Sequence, residues 1–195
     1  MKIEILYPEI CTLYGDKGNT MYLQKCLPDA EFVTTGLNEK PLFLKENIDM
    51  VYMCSMSEKS QELVLDRLMQ YKDEIAACMK DGKALFLLVG NSMELLGDYI
   101  KREDGTRVTG LGVVPGMYSV RQTPNRFNTL IKAKFNDMTL IGYTSRFAHT
   151  YGIPDDMTFC KVEIGQGSNP DTMNEGICKN RVIATYIHGP LLIQN

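Results

Sequence analysis

The sequence predicts an α/β fold with a mainly parallel sheet and an antiparallel extension in its C-terminal part. Three observations predict it. Two fully apolar runs, Met50-Val51-Tyr52-Met53-Cys54 and Ala84 to Val89, have the composition of central parallel strands covered on both faces. A long stretch with apolar residues at spacings of three and four separates them. Beyond about residue 105 strand-like segments follow one another and no long helical pattern remains.

The elements follow in order. Ile3 to Tyr7 alternates, meets Pro8 and reads as the first strand. Gly15-Asp16-Lys17-Gly18-Asn19 is a turn, in which Asp16 and Lys17 order the loop, and a short helix carries Met21, Leu23 and Leu27. Ser57 and Ser60 precede one long amphipathic helix through Leu63, Leu65, Leu68, Met69, Ile75 and Met79, which Gly82 stops. After the strand ending at Val89, Gly90-Asn91-Ser92 turns directly into a helix from Met93, with Ser92 as its cap. Ser119–Arg121, Phe127–Phe135, Met138–Ser145, Thr158–Ile164 and Arg181–His188 extend the same sheet. With no repeat, linker or low-complexity tract, residues 1–195 read as one domain.

Composition excludes several function classes. The 195 residues carry 21 Lys+Arg against 24 Asp+Glu and no basic block, which argues against nucleic acid. No apolar run is long enough to span a bilayer, and the N-terminus is no signal peptide. Six cysteines without a C-x-x-C spacing read as reduced, mostly buried thiols of a cytosolic protein. Two histidines leave little room for a metal site, so neither metal nor cofactor is expected.

The corner at Gly90 is where chemistry would sit. A buried strand running straight into a helix is the layout of a nucleophile elbow, with helix N–H groups nearby to hold an oxyanion. Glycine, however, brings no nucleophile, and an ordinary strand-to-helix corner has the same local pattern.

Three segments, in order along the chain, carry a resemblance. Leu6-Tyr7-Pro8-Glu9 with Leu13-Tyr14-Gly15-Asp16-Lys17-Gly18-Asn19 comes first, then Gly90-Asn91-Ser92-Met93-Glu94-Leu95-Leu96-Gly97, then Tyr186-Ile187-His188-Gly189-Pro190-Leu191-Leu192. Together they resemble class I glutamine amidotransferases of the CobB/CobQ-like group, and within it the glutaminase subunits of lipid II isoglutaminyl synthases. The resemblance implies a three-layer, flavodoxin-like fold and a cysteine thiolate attacking the glutamine side-chain amide. A histidine would shuttle the proton, and ammonia would pass to a Mur-ligase-like synthetase.

Carried over residue by residue, His188 falls on the catalytic histidine and Gly90 on the nucleophile. The Gly-rich oxyanion loop of the family reads Cys54-Ser55-Met56-Ser57, and the family's helix Gln is Glu94. The family's G-F-E-N-H-G-G-R-T-Y appears as Gly142 to Tyr151, which puts Arg146 at its His and His149 at its Arg. Arg126 resembles an Arg that helps hold substrate. Seven residues, 189–195, follow His188, so a downstream acidic partner and a C-terminal helix are not expected.

Three readings stand on this. The first is a degenerate, nucleophile-less subunit acting with a Mur-ligase-like partner in cell-wall precursor amidation or a related pathway, with a glutamine-like ligand in the remnant cleft. Ser55, Asn91, Ser92, Glu94, Arg126, Arg146 and His149 would line that cleft. The second is an active glutaminase, or a cobyric acid synthase-like amidotransferase, in which Cys54 is the relocated nucleophile and His188 its base. The third is an unrelated hydrolase or binding module using Ser92 or Ser55. Each residue also has a plain structural reading: Cys54 as buried apolar filler, Glu94 as a solvated helix carboxylate, His149 as a satisfied polar group.

Overall fold

A computed structural model describes residues 1–15 and 17–188. In chain order the elements are β1 (Lys2–Leu6), α1 (Lys17–Cys26), β2 (Glu31–Thr35), β3 (Met50–Met53), α2 (Glu58–Met69), α3 (Lys72–Asp81) and β4 (Leu85–Val89). Then come β5 (Tyr99–Lys101), β6 (Arg107–Thr109), β7 (Tyr118–Arg121), β8 (Phe127–Phe135), β9 (Met138–Arg146), β10 (Ala148–Tyr151), β11 (Thr158–Ile164), β12 (Asn174–Lys179) and β13 (Val182–Thr185). Short 3₁₀ turns at Leu13–Gly15, Leu42–Leu44, Gly90–Leu96 and Asp155–Met157 join some of them. Asp16 and the Gly189–Leu192 part of the third motif lie outside the described residues.

The large sheet has nine strands in the order β2-β1-β3-β4-β13-β12-β11-β8-β9. From β2 to β13 the pairings are parallel. From β13 to β9 they are antiparallel. The parallel half is where the apolar runs sit: all four residues of β3 are buried, as are four of five in β4. Strands without a solvated face must be apolar throughout. The one charged residue buried among these strands, Glu4 in β1, has a carboxylate that accepts from the N–H groups of Leu42 (2.7 Å) and Phe43 (2.8 Å) and from the Thr35 hydroxyl. It terminates the 3₁₀ turn after β2 as a side-chain cap would.

Two expectations are corrected. Ser119–Arg121 does not extend the large sheet. It lies in β7, part of a separate four-stranded sheet ordered β10-β7-β5-β6. The chain leaves the large sheet at Phe147, whose carbonyl accepts from the Gln122 N–H at 2.7 Å, so β10 pairs with β7. One face of this sheet turns inward through the Ser119–Thr150 hydroxyl pair (2.7 Å). The other carries a ladder of tyrosine rings, Tyr99 on Tyr118 (5.1 Å) and Tyr118 on Tyr151 (5.4 Å). Strands of three residues are too short to show an alternation, which is why β5 and β6 escape a periodicity search.

The long helix, too, is two. α2 ends at Met69 and α3 starts at Lys72, with Tyr71 outside helical geometry between them. Ser57 caps α2 by accepting from the Ser60 N–H at 3.1 Å, and Gly82 ends α3 at φ 61°. Among the described residues no helix is long and apolar enough to cross a membrane.

Candidate functional site

β4 delivers the chain to the C-terminal edge of the parallel strands, where open α/β sheets place their sites. There the backbone reverses within one residue. Val89 is extended and Gly90 has φ +69°. Left-handed backbone is easy only for glycine, and the surroundings make glycine obligatory a second time. A β-carbon at position 90 would lie 2.5 Å from Ser55 Cβ, 2.9 Å from His188 Cε1 and 3.2 Å from Ser55 Oγ. The space that an elbow side chain would use is filled by a serine and an imidazole.

Ser55 opens the loop that follows β3. It is buried, and its carbonyl accepts from the Leu13 N–H at 3.2 Å. The next residue, Met56, is held by Asn91. Asn91 Oδ1 accepts from the Met56 N–H at 2.9 Å, and Asn91 Nδ2 donates to the Met56 carbonyl at 2.7 Å. Gln61 donates in turn to the Asn91 carbonyl at 2.7 Å. A backbone N–H able to stabilise an oxyanion must point into the cleft unpaired; the Met56 amide is already taken. Cys54 is buried and lines a cavity of about 510 Å³ with Ile5, Cys11, Phe32 and Thr34, on the β1–β2 side of the loop.

His188 reaches Gly90 from just beyond the end of β13. A bridge fixes its backbone, with its N–H donating to the Tyr143 carbonyl at 2.8 Å. Its ring lies between Tyr14 (4.7 Å between centroids) and Tyr143 (5.2 Å) and is 2% exposed. Burial depresses its pKa from 6.5 to about 4, with a hydrogen bond to the Ser145 backbone acting in the opposite direction. Nδ1 has no hydrogen-bond partner among the described residues, so no carboxylate orients the ring there. Arg126 is exposed, over the rings of Phe147 (4.5 Å) and Tyr14 (5.9 Å).

Other expected site residues go elsewhere. Ser92 does not cap a helix with its oxygen: its hydroxyl donates back to the carbonyls of Val89 (2.8 Å) and Met53 (3.3 Å), pinning the turn between two strands. Among the described residues both of these hydroxyl contacts are to backbone carbonyls, and none is to His188. Glu94 is no solvated carboxylate. It is fully buried, accepts from Gln61 (3.0 Å) and Tyr186 (2.9 Å), and burial raises its pKa. Arg146 is buried with its guanidinium 4.3 Å from the Tyr186 ring, donating to the Gly167 carbonyl at 2.5 Å. His149 is buried with Nδ1 unpartnered among the described residues, packed 4.0 Å from the Phe127 ring. Burial again leads the fall in its pKa from 6.5 to about 4, with the Arg146 charge second.

Sequence reasoning missed the groups that tie these together. Gln61 links Asn91 and Glu94 to Arg121, which donates to it at 2.8 Å. Arg121 and Arg102 share Glu62, at 2.6 and 2.9 Å. Hydrogen bonding from Arg102, with Arg121 assisting, pulls Glu62 down to about 2. Glu175, also buried, accepts from Thr185 (2.6 Å) and the Tyr186 N–H (2.7 Å). No spacing rule connects positions 61, 62, 102, 121 and 175. Among the described residues no group of three His, Cys, Asp or Glu is placed to hold a metal ion.

Known proteins resemble the chain in sequence and in fold. The sequence pattern of the CobB/CobQ-like glutamine amidotransferase domain matches residues 2–195. Among curated relatives, the lipid II isoglutaminyl synthase (glutamine-hydrolyzing) subunit GatD of Streptococcus pneumoniae is 28% identical over 199 residues, covering all of this chain and 76% of that protein. The subunit of the same name from Staphylococcus aureus is 25% identical over 185 residues, covering 94% of this chain and 74% of its own. Among solved structures, PurLQS of Thermotoga maritima superposes with TM-score 0.65 at 11% identity, over 97% of this chain and 87% of that one. A glutamine amidotransferase from the same organism gives 0.60 at 13% identity, over 97% and 76%. The fold is that of class I glutamine amidotransferases.

Proposed function

Because the chain belongs to the CobB/CobQ-like glutamine amidotransferase domain family, we propose that it serves as the glutaminase-type subunit of a lipid II-amidating complex, paired with a Mur-ligase-like synthetase, and that its own elbow no longer hydrolyses glutamine. One observation carries the loss of chemistry: the 2.5 Å that would separate a β-carbon at position 90 from Ser55 Cβ. A missing nucleophile could be an isolated substitution. A site whose neighbours have closed over the vacancy is adapted to its absence. The engaged Met56 amide and an imidazole depressed to about 4 support the same reading. A general base works best with a pKa near the operating pH, and loss of one oxyanion donor alone typically lowers rate 10²–10³-fold.

On this reading the chain contributes a surface to the complex, and the amide nitrogen comes from free ammonia. The remnant cleft beside Tyr14, Tyr143 and Arg126 could at most hold a glutamine-like ligand without turning it over. The alternative, thiol attack by Cys54, has less support, because Cys54 lines the cavity on the β1–β2 side while its neighbour Ser55 faces His188. The test is an amidation assay on the chain co-purified with its synthetase partner. Amidation with ammonium but not with glutamine, and no glutamate release, is the expected result. Glutamate release above the protein-free rate overturns it, and a glutamine-mimicking diazo-ketone adduct on Cys54 would name the nucleophile.

A further inference from the structure

Away from the elbow, at the amino-terminal edge of β13, lies a cleft that the proposed function does not use. It has a volume of about 210 Å³, room for about seven water-sized units. Val182, the first residue of β13, lies on its wall and pairs with Phe86, whereas Thr185 pairs with Val89 beside Gly90. Three residues of strand therefore separate the two sites, roughly 10 Å.

The walls are apolar and come from distant parts of the chain. α3 supplies Ala76 and Met79, the loop after β6 supplies Val113 and Val114, and β12 supplies Ile177. Met79, Val114, Ile177 and Val182 are buried core residues, so the cleft reaches the core rather than resting on the surface. The rim is cationic. Ala76, Met79 and Lys80 lie on one stripe of α3, as spacings of three and four require, and Lys80 lines the cleft with no ion pair among the described residues. Lys179 lines the other side and pairs with the exposed Asp156 at 2.8 Å. The Lys72 ammonium lies 3.5 Å, and the Asp98 carboxylate 3.8 Å, from where a β-carbon on the lining Gly112 would sit.

The β12–β13 turn adds a further feature. Asn180 and Arg181 both have positive φ, 49° and 63°. A two-residue hairpin of this hand favours glycine at its second position, yet an arginine is held there, its side chain running over Gly82 at the end of α3. Two cations, Lys80 and Lys179, thus line the opening, and a third, Lys72, stands beside the lining Gly112.

We propose that this cleft binds an amphipathic organic anion: an apolar body, a ring or short acyl chain, between α3 and the β12–β13 hairpin, with its carboxylate or phosphate head on Lys80 and Lys179. Apolar walls with a few convergent charged groups are the usual form of a small-molecule site. The proposal is independent of the chemistry at Gly90.

The test uses the full chain, with 8-anilinonaphthalene-1-sulfonate as fluorescent probe and octanoate, octyl phosphate and octanol as competitors. Saturable one-site binding is expected, displaced by octanoate or octyl phosphate at concentrations at least tenfold below those of octanol. The more potent of the two anions identifies the head group. Ala76→Phe, which fills the cleft, should weaken probe binding at least tenfold. The surface variant Lys80→Glu/Lys179→Glu should weaken the anions at least fivefold while leaving octanol unchanged, and it tests the proposal even if Ala76→Phe fails to fold. Equal displacement by octanol, or unchanged anion binding in the folded double variant, overturns it.

Discussion

Replacing Gly90 by alanine tests the closed elbow with the smallest possible side chain. Two penalties add. The backbone at φ +69° is left-handed, which costs a non-glycine residue about 1–2 kcal/mol. The new methyl would then stand 2.5 Å from Ser55 Cβ and 2.9 Å from His188 Cε1, far inside the ~3.5–4.0 Å optimum for carbon pairs. Overpacking of a rigid core typically costs about 1–3 kcal/mol. Gly90→Ala should therefore lose about 2–5 kcal/mol in urea unfolding followed by circular dichroism. The contributions separate in a double-mutant cycle. Ser55→Gly removes the 2.5 and 3.2 Å contacts and leaves the backbone term and the His188 contact. Gly90→Ala should then cost about 0.5–2 kcal/mol less in the Ser55→Gly background than in the parent, the His188 contact keeping the rest of the overpacking penalty. The reasoning fails if Gly90→Ala costs under about 1 kcal/mol, or if the two changes add within about 0.5 kcal/mol. The same geometry makes Gly90→Cys alone unreactive toward a glutamine-mimicking diazo-ketone, with labelling of residue 90 expected only when Ser55→Gly accompanies it.

Three further outcomes follow from the polar groups. Asn91→Ala leaves the Met56 N–H and carbonyl without their side-chain partner; it should cost about 1–3 kcal/mol and speed hydrogen exchange at the Met56 amide, and unchanged exchange would show that Asn91 does not hold the loop. His188, folded at about 4 against 6.5 unfolded, binds its proton more readily when unfolded. Its contribution is present above pH 6.5 and lost as pH falls toward 4, by up to about 3 kcal/mol. His188→Gln should flatten that part of the stability–pH curve, and an imidazole NMR titration near 6.5 would contradict it. Glu62, lowered to about 2, contributes above its unfolded value near 4.5 and loses that contribution as pH falls toward 2; parent and Glu62→Gln should differ at pH 7 and converge near pH 2–3, whereas a constant gap would rule out the ionic clamp.

Periodicity carried the parallel half of the fold, because strands covered on both faces must be apolar and a run such as 85–89 has no other use. Strands β8 and β11 are also legible to the residue, since their alternation spans nine and seven positions. The second sheet is not legible. Its strands have three or four residues, and its partners are chosen by where the chain breaks at Phe147, not by any pattern in Tyr118–Arg121. The single long helix fails at Tyr71 for a like reason: helical spacing continues across a break that only packing imposes.

At the site, the motif containing Gly90 and the one containing His188 could be placed by order and resemblance alone, because an elbow glycine and a strand-end histidine are local features. What surrounds them is not local. That Ser55 and His188 close on position 90, that Asn91 grips Met56, and that Glu94 turns inward to Gln61 and Tyr186 are contacts across 33 to 98 residues of chain. One chain thus determined by its own order of residues which strands are buried and where the corner falls. Only the packing of those strands decided whether the corner has room for a side chain, because that depends on distances between segments whose sequences carry no trace of one another.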